Sequence, residues 1–356
     1  MTAPGRQIRV LVVEDSAVAR ALLVRILESD PAICVAACVK DGAEAITAMG
    51  SVKPDVITMD IHMPGMDGYV ATRHIMETQP VPIVIVTASY APDDVAKSFR
   101  ALEAGAVALL EKPPGINAPT HAECARKLIE IVKAMSEVRV VRRWSRARMA
   151  ARPALPPVKT GGTPPTLIAI GASTGGPPVL QTILAALPKP FPVPIVIVQH
   201  IAAGFVQGLA DWLTQSAGIP VRLARDGELA QPGHVYLAPD ECQMRLGRGA
   251  VMSCLAGAPE NGLRPSVSCL FRSVAEAYGS SAVGVLLTGM GRDGAGELKL
   301  MRDRGAVTIA QDKASSVVHG MPGVAVELDA ATHVAAPEQI AALLRALVAT
   351  SDSPTP

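Results

Sequence analysis

The chain has 356 residues, 49% of them hydrophobic and 18% charged, with a formal net charge of +1. At a soft prior of about 150 residues per domain, that length allows two domains, each with its own core. Near-neutral charge and an aromatic content of 3% give neither the field nor the stacking surface that nucleic acid requires, so no nucleic-acid partner is expected.

No apolar run reaches the ~18–20 residues of a membrane span, and direct membrane insertion is not expected. The start, MTAPGRQIRV, runs into a strand pattern without a signal-peptide core. The six cysteines (Cys34, Cys38, Cys124, Cys242, Cys254 and Cys269) show no C-x-x-C spacing. They read as small reduced core residues rather than disulfides or metal ligands, and the expected location is the cytoplasm.

Over residues 8–115, apolar runs at IRVLVVED, ICVAACVKDG, DVITMD, VPIVIVTAS and AVALLEKP alternate with helix-length segments such as SAVARALLVRILES. Five strands alternating with helices predict a parallel sheet covered on both faces. Residues 119–141 predict a closing helix. The stretch VVRRWSRARMAARPALPPVKTGGTPP follows and contains no acid. It reads as a solvated linker, or as a basic tether to an acidic partner or membrane face. A second α/β pattern starts at TLIAIGAS, with further strands at PVPIVIVQH, HVYLAP, SAVGVLLTGM and AVTIAQD. Helices are expected at PPVLQTILAAL, GFVQGLADWLTQS and PSVSCLFRSVAEAY. This predicts a second open, doubly wound parallel sheet.

Sites in such sheets form in the crevice outside the carboxyl ends of the strands. In the first half those ends carry Glu14 and Asp15, Asp60, Thr87, and Lys112 before Pro113. A single strand-end acid could be a helix N-cap. Three converging acids repel one another unless a hard cation sits among them, and oxygen ligands suit Mg²⁺. An Asp attacking phosphorus beside that cation yields an acyl phosphate. Thr87 and Lys112 could then hold phosphate oxygens.

VVEDS, MDIHMPGMDG, TAS, EAGA and EKP resemble the receiver domain of two-component response regulators, over about residues 6–116. The resemblance implies a flavodoxin-like (βα)₅ fold for residues 1–118, with Asp60 as phosphate acceptor. It implies Glu14, Asp15 and Asp60 as Mg²⁺ ligands, Thr87 and Lys112 as switch residues, and a histidine kinase as phosphodonor. Receivers often carry an aromatic three residues before the lysine. This chain has Leu109 there, a departure that bears on a ring-flip switch coupled to Thr87 but not on the chemistry expected at Asp60.

In the second half, IAIGASTGGPP sets Gly171, Ser173 and Gly175 in G-x-S-x-G spacing directly after a strand. That arrangement presents a serine at a helix N-terminus, but taken alone it could equally be a phosphate-cradling loop. Two further strand ends bear on the choice. VPIVIVQH ends in His200, and AVGVLLTGMGRDG delivers Asp293. A serine nucleophile needs a base, and the base needs an acid to fix its tautomer. Ser173, His200 and Asp293 fill those roles, with Asp226, Asp240 and Asp312 as competing acids. Backbone N–H groups near Thr174 and Met290 are the candidate oxyanion donors.

IGASTGG, IVQH, DGE-x-x-x-PG-x-VYLAP, RPSV, LLTGMGRDGA and AQD-x-ASSVVHGMPG together resemble the catalytic domain of chemotaxis protein-glutamate methylesterases (CheB), over about residues 166–348. The resemblance implies residues 1–118 as receiver, 119–165 as closing helix and linker, and 166–350 as a hydrolase domain without a cofactor of its own. It implies hydrolysis of glutamate methyl esters on chemoreceptor cytoplasmic domains, and in many members deamidation of receptor glutamines. It assigns the triad to the same three residues. Two stretches depart from the family pattern. QHIAAGFV stands where QHMP-x-x-FT is usual, and APDECQM puts Gln243 at a usual histidine position; both changes are expected at the substrate rim. Two other classes compete: a receiver-linked esterase of a non-chemotactic array, and a non-catalytic phospho-dependent binding module. A nucleotide-dependent protein is a weaker alternative, because GASTGG lacks the Lys and Ser/Thr of a P-loop.

Overall fold

Strand β1 (Ile8–Val13) is buried at all but one position, as a strand covered on both faces must be. The structure, a computed structural model, describes residues 6–88, 92–138 and 164–349. The chain forms two compact units, one within residues 1–152 and one within 153–356.

In the first unit, β1 is followed by α1 (Ala17–Leu27), β2 (Ile33–Val39), α2 (Gly42–Val52), β3 (Val56–Met59), α3 (Gly68–Thr78), β4 (Ile83–Thr87), α4 (Pro92–Ala104), β5 (Ala108–Glu111) and α5 (His121–Ser136). The five strands pair in parallel in the order β2-β1-β3-β4-β5. The helices start where short polar side chains accept backbone N–H groups: Ser16 for α1, Asp41 for α2 and Asp67 for α3. Glu14, Asp15 and Asp60 are therefore not the N-caps of these helices. The helix expected over 119–141 is α5, and the basic, proline-rich stretch from residue 139 to 163 lies outside the described residues.

The second unit runs β6 (Leu167–Ala172), α6 (Gly176–Ala185), β7 (Ile195–Gln199), α7 (Val206–Ala217), β8 (Val221–Leu223), β9 (Val235–Leu237), β10 (Gln243–Leu246), β11 (Met252–Leu255), α8 (Val267–Tyr278), β12 (Ala282–Leu286), α9 (Ala295–Asp303), β13 (Val307–Gln311), α10 (Met321–Glu327), β14 (His333–Ala335) and α11 (Pro337–Ala349). Seven strands form a parallel sheet in the order β14-β13-β12-β6-β7-β9-β8. The order reverses at β6, and the crevice beside its carboxyl end is where an open α/β sheet places a site. Alternate strand residues (Leu167 and Ala169, Val196 and Val198, Tyr236, Leu286, Ala310) join one core with α8, α9 and α10. Helix α6 packs against both α7 and α11, apart from that group.

Seven elements of the second unit were not read from the sequence: β8, β14, the antiparallel hairpin β10–β11, and the helices α9, α10 and α11. The segment GMPG opens α10, with Gly320 at its N-cap; Pro322 fits the first helical turn, where its missing N–H costs nothing. The cysteines are free, but Cys269 alone is fully buried and Cys38 is exposed, so the expectation of core residues holds for one of the six.

Candidate active site and phosphoacceptor site

Parallel pairing places Ala172 of β6 opposite Gln199 of β7, so Ser173 and His200 leave neighbouring strand ends together. His200 N donates to Ala172 O at 2.9 Å. The buried Gln199 side chain clamps the two exits, its Nε2 donating to Ser173 O and to His200 O, each at 2.8 Å. On the other side of β6, Ser173 N donates to Thr288 O at 3.0 Å. The turn into α6 needs Gly175 at φ +78°, a left-handed conformation that side chains disfavour. Gly176 is needed for space, since a Cβ there would lie 2.1 Å from Gln199 Oε1.

Asp293 is 5% exposed and over-satisfied. Its Oδ1 accepts from Ser266 Oγ at 2.9 Å and from Ser268 N at 3.1 Å, and its Oδ2 accepts from Val267 N at 2.6 Å. Val267 and Ser268 are the first residues of α8, so the carboxylate caps that helix from a distant segment. Ser266 stands at the N-cap position but turns its hydroxyl to Asp293. Negative charge is favoured there by the helix N-terminus. His200 Nε2 lies 3.0 Å from Asp293 Oδ2, although the ring N–H is not aimed squarely at the oxygen. Burial pushes the Asp293 carboxyl up, but the facing His200 and the bonds from Ser268 and Val267 outweigh it and bring the pKa down to about 2.

The structure thus brings His200 and Asp293 into contact and sets Ser173 at the adjoining strand end. Among the described residues, Ser173 Oγ forms no hydrogen bond. Serine–base contacts are commonly long before substrate binds. Because Nε2 faces the acid, Nδ1 is the nitrogen left to serve the serine. The Thr174 and Met290 N–H groups donate to no other described residue. Gly289, next to Met290, packs so closely that a Cβ on it would lie 2.7 Å from Ser173 Cβ.

The competing acids are engaged elsewhere. Asp226 accepts from Cys254 N, Asp240 from Gly204 N, and Asp312 from Ser315. RPSV stands out in the sequence, but the roles of Ser266, Val267 and Ser268, and those of Gln199 and Thr288, are visible only in the fold. A serine before an apolar-periodic run signals an N-cap; nothing in the sequence says that Asp293 arrives to complete it. Gln243, expected at the substrate rim, is buried at 7% exposure and braces the segment leading into α8.

In the first unit, Glu14, Asp15 and Asp60 converge, with one oxygen of each within 4.8 Å of the others. Lys112 Nζ lies 2.7 Å from Asp60 Oδ2 and 2.8 Å from Glu14 Oε2. Burial raises the Glu14 pKa against the opposing pull of Lys112. Burial alone would lower the Lys112 pKa, but Asp60 and Glu14 hold it above the ordinary value. An all-oxygen set that already draws an ammonium onto itself fits a hard divalent cation. Thr87 ends β4, buried, and Leu109 sits on β5 opposite Ile85. A Cβ on Gly68 would lie 2.0 Å from Asp60 O, so α3 begins directly against Asp60.

Residues 168–344 match the family model described as CheB methylesterase, and residues 10–122 match that of the response regulator receiver domain. A protein-glutamate methylesterase/protein-glutamine glutaminase from Nitrosospira multiformis is 55% identical over 96% of this chain and 97% of its own. The chain belongs to the CheB methylesterase family. A relative described in the same words from Geobacter metallireducens is 51% identical over 96% of this chain and 99% of its own. The crystal structure of the Thermotoga maritima CheB methylesterase catalytic domain is 38% identical, with a TM-score of 0.51, and covers 52% of this chain and 100% of its own. The expected pair of α/β domains, a five-strand receiver sheet and a parallel-sheet catalytic domain, is what the family and the fold bear out. Among the described residues, no helix is long and apolar enough to cross a membrane.

Proposed function

We propose that the chain is a receiver-regulated serine esterase. It hydrolyses glutamate methyl esters on chemoreceptor cytoplasmic domains to glutamate and methanol, and glutamine amides to glutamate and ammonia, in the cytoplasm during chemotactic adaptation. The observation that carries the reading is the His200–Asp293 contact of 3.0 Å at the rim where Ser173 leaves β6.

Ser173 Oγ attacks the ester carbonyl while His200 Nδ1 takes its proton, and Asp293 stabilises the imidazolium. The N–H groups of Thr174 and Met290 receive the oxyanion. His200 returns the proton to the leaving methanol or ammonia, then activates water to release Ser173 from the acyl-enzyme.

In the receiver, Asp60 accepts a phosphoryl group from a histidine kinase, and the acyl phosphate raises the hydrolase rate. Glu14, Asp15 and Asp60 would hold Mg²⁺, which would supply positive charge to the phosphoryl oxygens. Lys112 moves from the carboxylates to the new phosphate, and Thr87 donates to it.

The test is methanol release from methylated receptor membranes, with and without acetyl phosphate. The expected result is release that acetyl phosphate stimulates and that Ser173→Ala abolishes without loss of fold. Full turnover by Ser173→Ala would sink the nucleophile assignment, and an unresponsive rate would sink the regulation.

A further inference from the structure

Strand β10 is laced to one face of α8. Gln243 Oε1 accepts from Ser266 N at 2.9 Å, Arg245 Nε donates to Cys269 Sγ at 3.2 Å, and Leu246 N donates to Ser273 Oγ at 3.0 Å. Residues 266, 269 and 273 follow helical spacing, so the contacts run along one stripe. Gln243 does more than touch the helix start. Its Nε2 also donates to Leu263 O at 3.0 Å and Ala258 O at 3.3 Å. One buried amide therefore ties together the irregular segment 256–265 and the residue that opens α8. That same Ser266 donates its hydroxyl to Asp293.

We propose that Gln243 is a positioning residue for the catalytic acid: through Ser266 it fixes the start of α8, and with it the three donors that hold Asp293 against His200. The proposal rests on the reading of Ser173, His200 and Asp293 as a hydrolytic triad. Gln243 touches no reacting atom. Its side chain supplies both an acceptor and a donor at one point, which an apolar side chain cannot. Without it, Ser266 N and two carbonyls lose partners inside the protein, and the segment relaxes to find others. A small displacement of Asp293 then leaves the imidazolium with a weaker counter-charge.

The experiment compares full-length wild type with Gln243→Met, Gln243→Asn and Gln243→His in methanol release, reading kcat per folded molecule and KM. Misplacing a catalytic group by about 1 Å can cost on the order of 100-fold. We expect Gln243→Met to lose about 10- to 100-fold in kcat, with KM changed less than about twofold, on that basis. A loss confined to kcat marks the chemical step rather than substrate binding. Gln243→Asn, one methylene too short to reach Ser266 and Leu263 at once, changes in the same direction and serves if the Met variant does not fold. Gln243→His, whose neutral ring offers one donor and one acceptor, recovers most of kcat. Variants that melt earlier but keep the wild-type kcat would overturn the proposal, as would a folded Gln243→His no better than Gln243→Met. A wild type that releases no methanol, or a Ser173→Ala variant that still does, rejects the triad reading itself and is recognised before any Gln243 comparison.

Discussion

Replacing Asp293 by Asn changes one atom and disturbs every partner of the carboxylate. In the wild type, Oδ1 serves Ser266 Oγ and Ser268 N, while Oδ2 serves Val267 N and faces His200 Nε2. Asparagine has one oxygen. If it occupies the Oδ1 place, its NH₂ meets the Val267 N–H and the His200 ring. The ring can accept that donor only by carrying its proton on Nδ1, the atom that must receive the serine proton. If the oxygen takes the Oδ2 place, the NH₂ meets Ser268 N–H, donor against donor. An unpaired buried donor costs about 1–3 kcal/mol. The depression of the Asp293 pKa from 3.8 to about 2 corresponds to roughly 2 kcal/mol of stability at neutral pH. Asp293→Asn is therefore expected to lose about 2 kcal/mol in urea unfolding, and about 10³–10⁴-fold in kcat for methanol release through the wrong tautomer. The stability gap has a pH signature. A carboxylate depressed on folding contributes fully above its unfolded pKa near 3.8 and loses that contribution as pH falls through about 2. The difference between wild type and variant should be complete at neutral pH and should narrow below about pH 4. A variant within tenfold of wild-type kcat, or a gap as large in acid as at neutrality, would refute the reasoning.

Gly289→Ala introduces a Cβ 2.7 Å from Ser173 Cβ and 2.4 Å from Met321 Sδ; overpacking of this kind costs about 1–3 kcal/mol, and calorimetry with a kcat measurement should show both lowered. Lys112→Met leaves two carboxylates, 0% and 4% exposed in their side chains, without their ammonium, and removing one partner of a buried pair costs about 3–5 kcal/mol. Urea melts should show that loss in chelator and a partial recovery with Mg²⁺; equal loss in both would argue against cation binding at Glu14, Asp15 and Asp60. Asp60→Asn should keep basal methanol release while losing the response to acetyl phosphate, and a preserved response would move the acceptor elsewhere.

The long apolar strands were legible because a strand buried on both faces must be continuously apolar, as in VPIVIVTAS and VPIVIVQH. Residues at their carboxyl ends were legible for a related reason: in a parallel sheet, chain direction alone sends all of those ends to one rim. Strands β8 and β14 have three residues each and mixed burial, too short for any period to declare itself. The hairpin β10–β11 was hidden by Arg245 and Gln243, polar residues whose partners on α8 lie more than twenty positions away. Gln243 illustrates the limit most clearly. Its polarity implied the rim, whereas its partners, Ser266 N and the carbonyls of Leu263 and Ala258, hold it inside. A buried polar residue is identifiable only by its bonds, and those are made in three dimensions.

The two sites handle buried negative charge in opposite ways, and the difference suits their tasks. In the receiver, Glu14 and Asp60 crowd around one ammonium, and burial drives the Glu14 pKa up despite it. Such a cluster is under-compensated, so a change of charge at Asp60 must rearrange it; Lys112 is the group free to move, because its partner would then carry the phosphate. In the catalytic unit a single carboxylate takes three hydrogen bonds from one helix start and the contact of His200, and its pKa falls. Two of those donors are backbone N–H groups of a helix start and the third is the Ser266 hydroxyl beside them, so the anion is held in place before any proton moves. A switch requires the first arrangement and a catalyst the second. Perturbing Lys112 should therefore alter the response to phosphodonor, whereas perturbing the start of α8 should alter the chemical step.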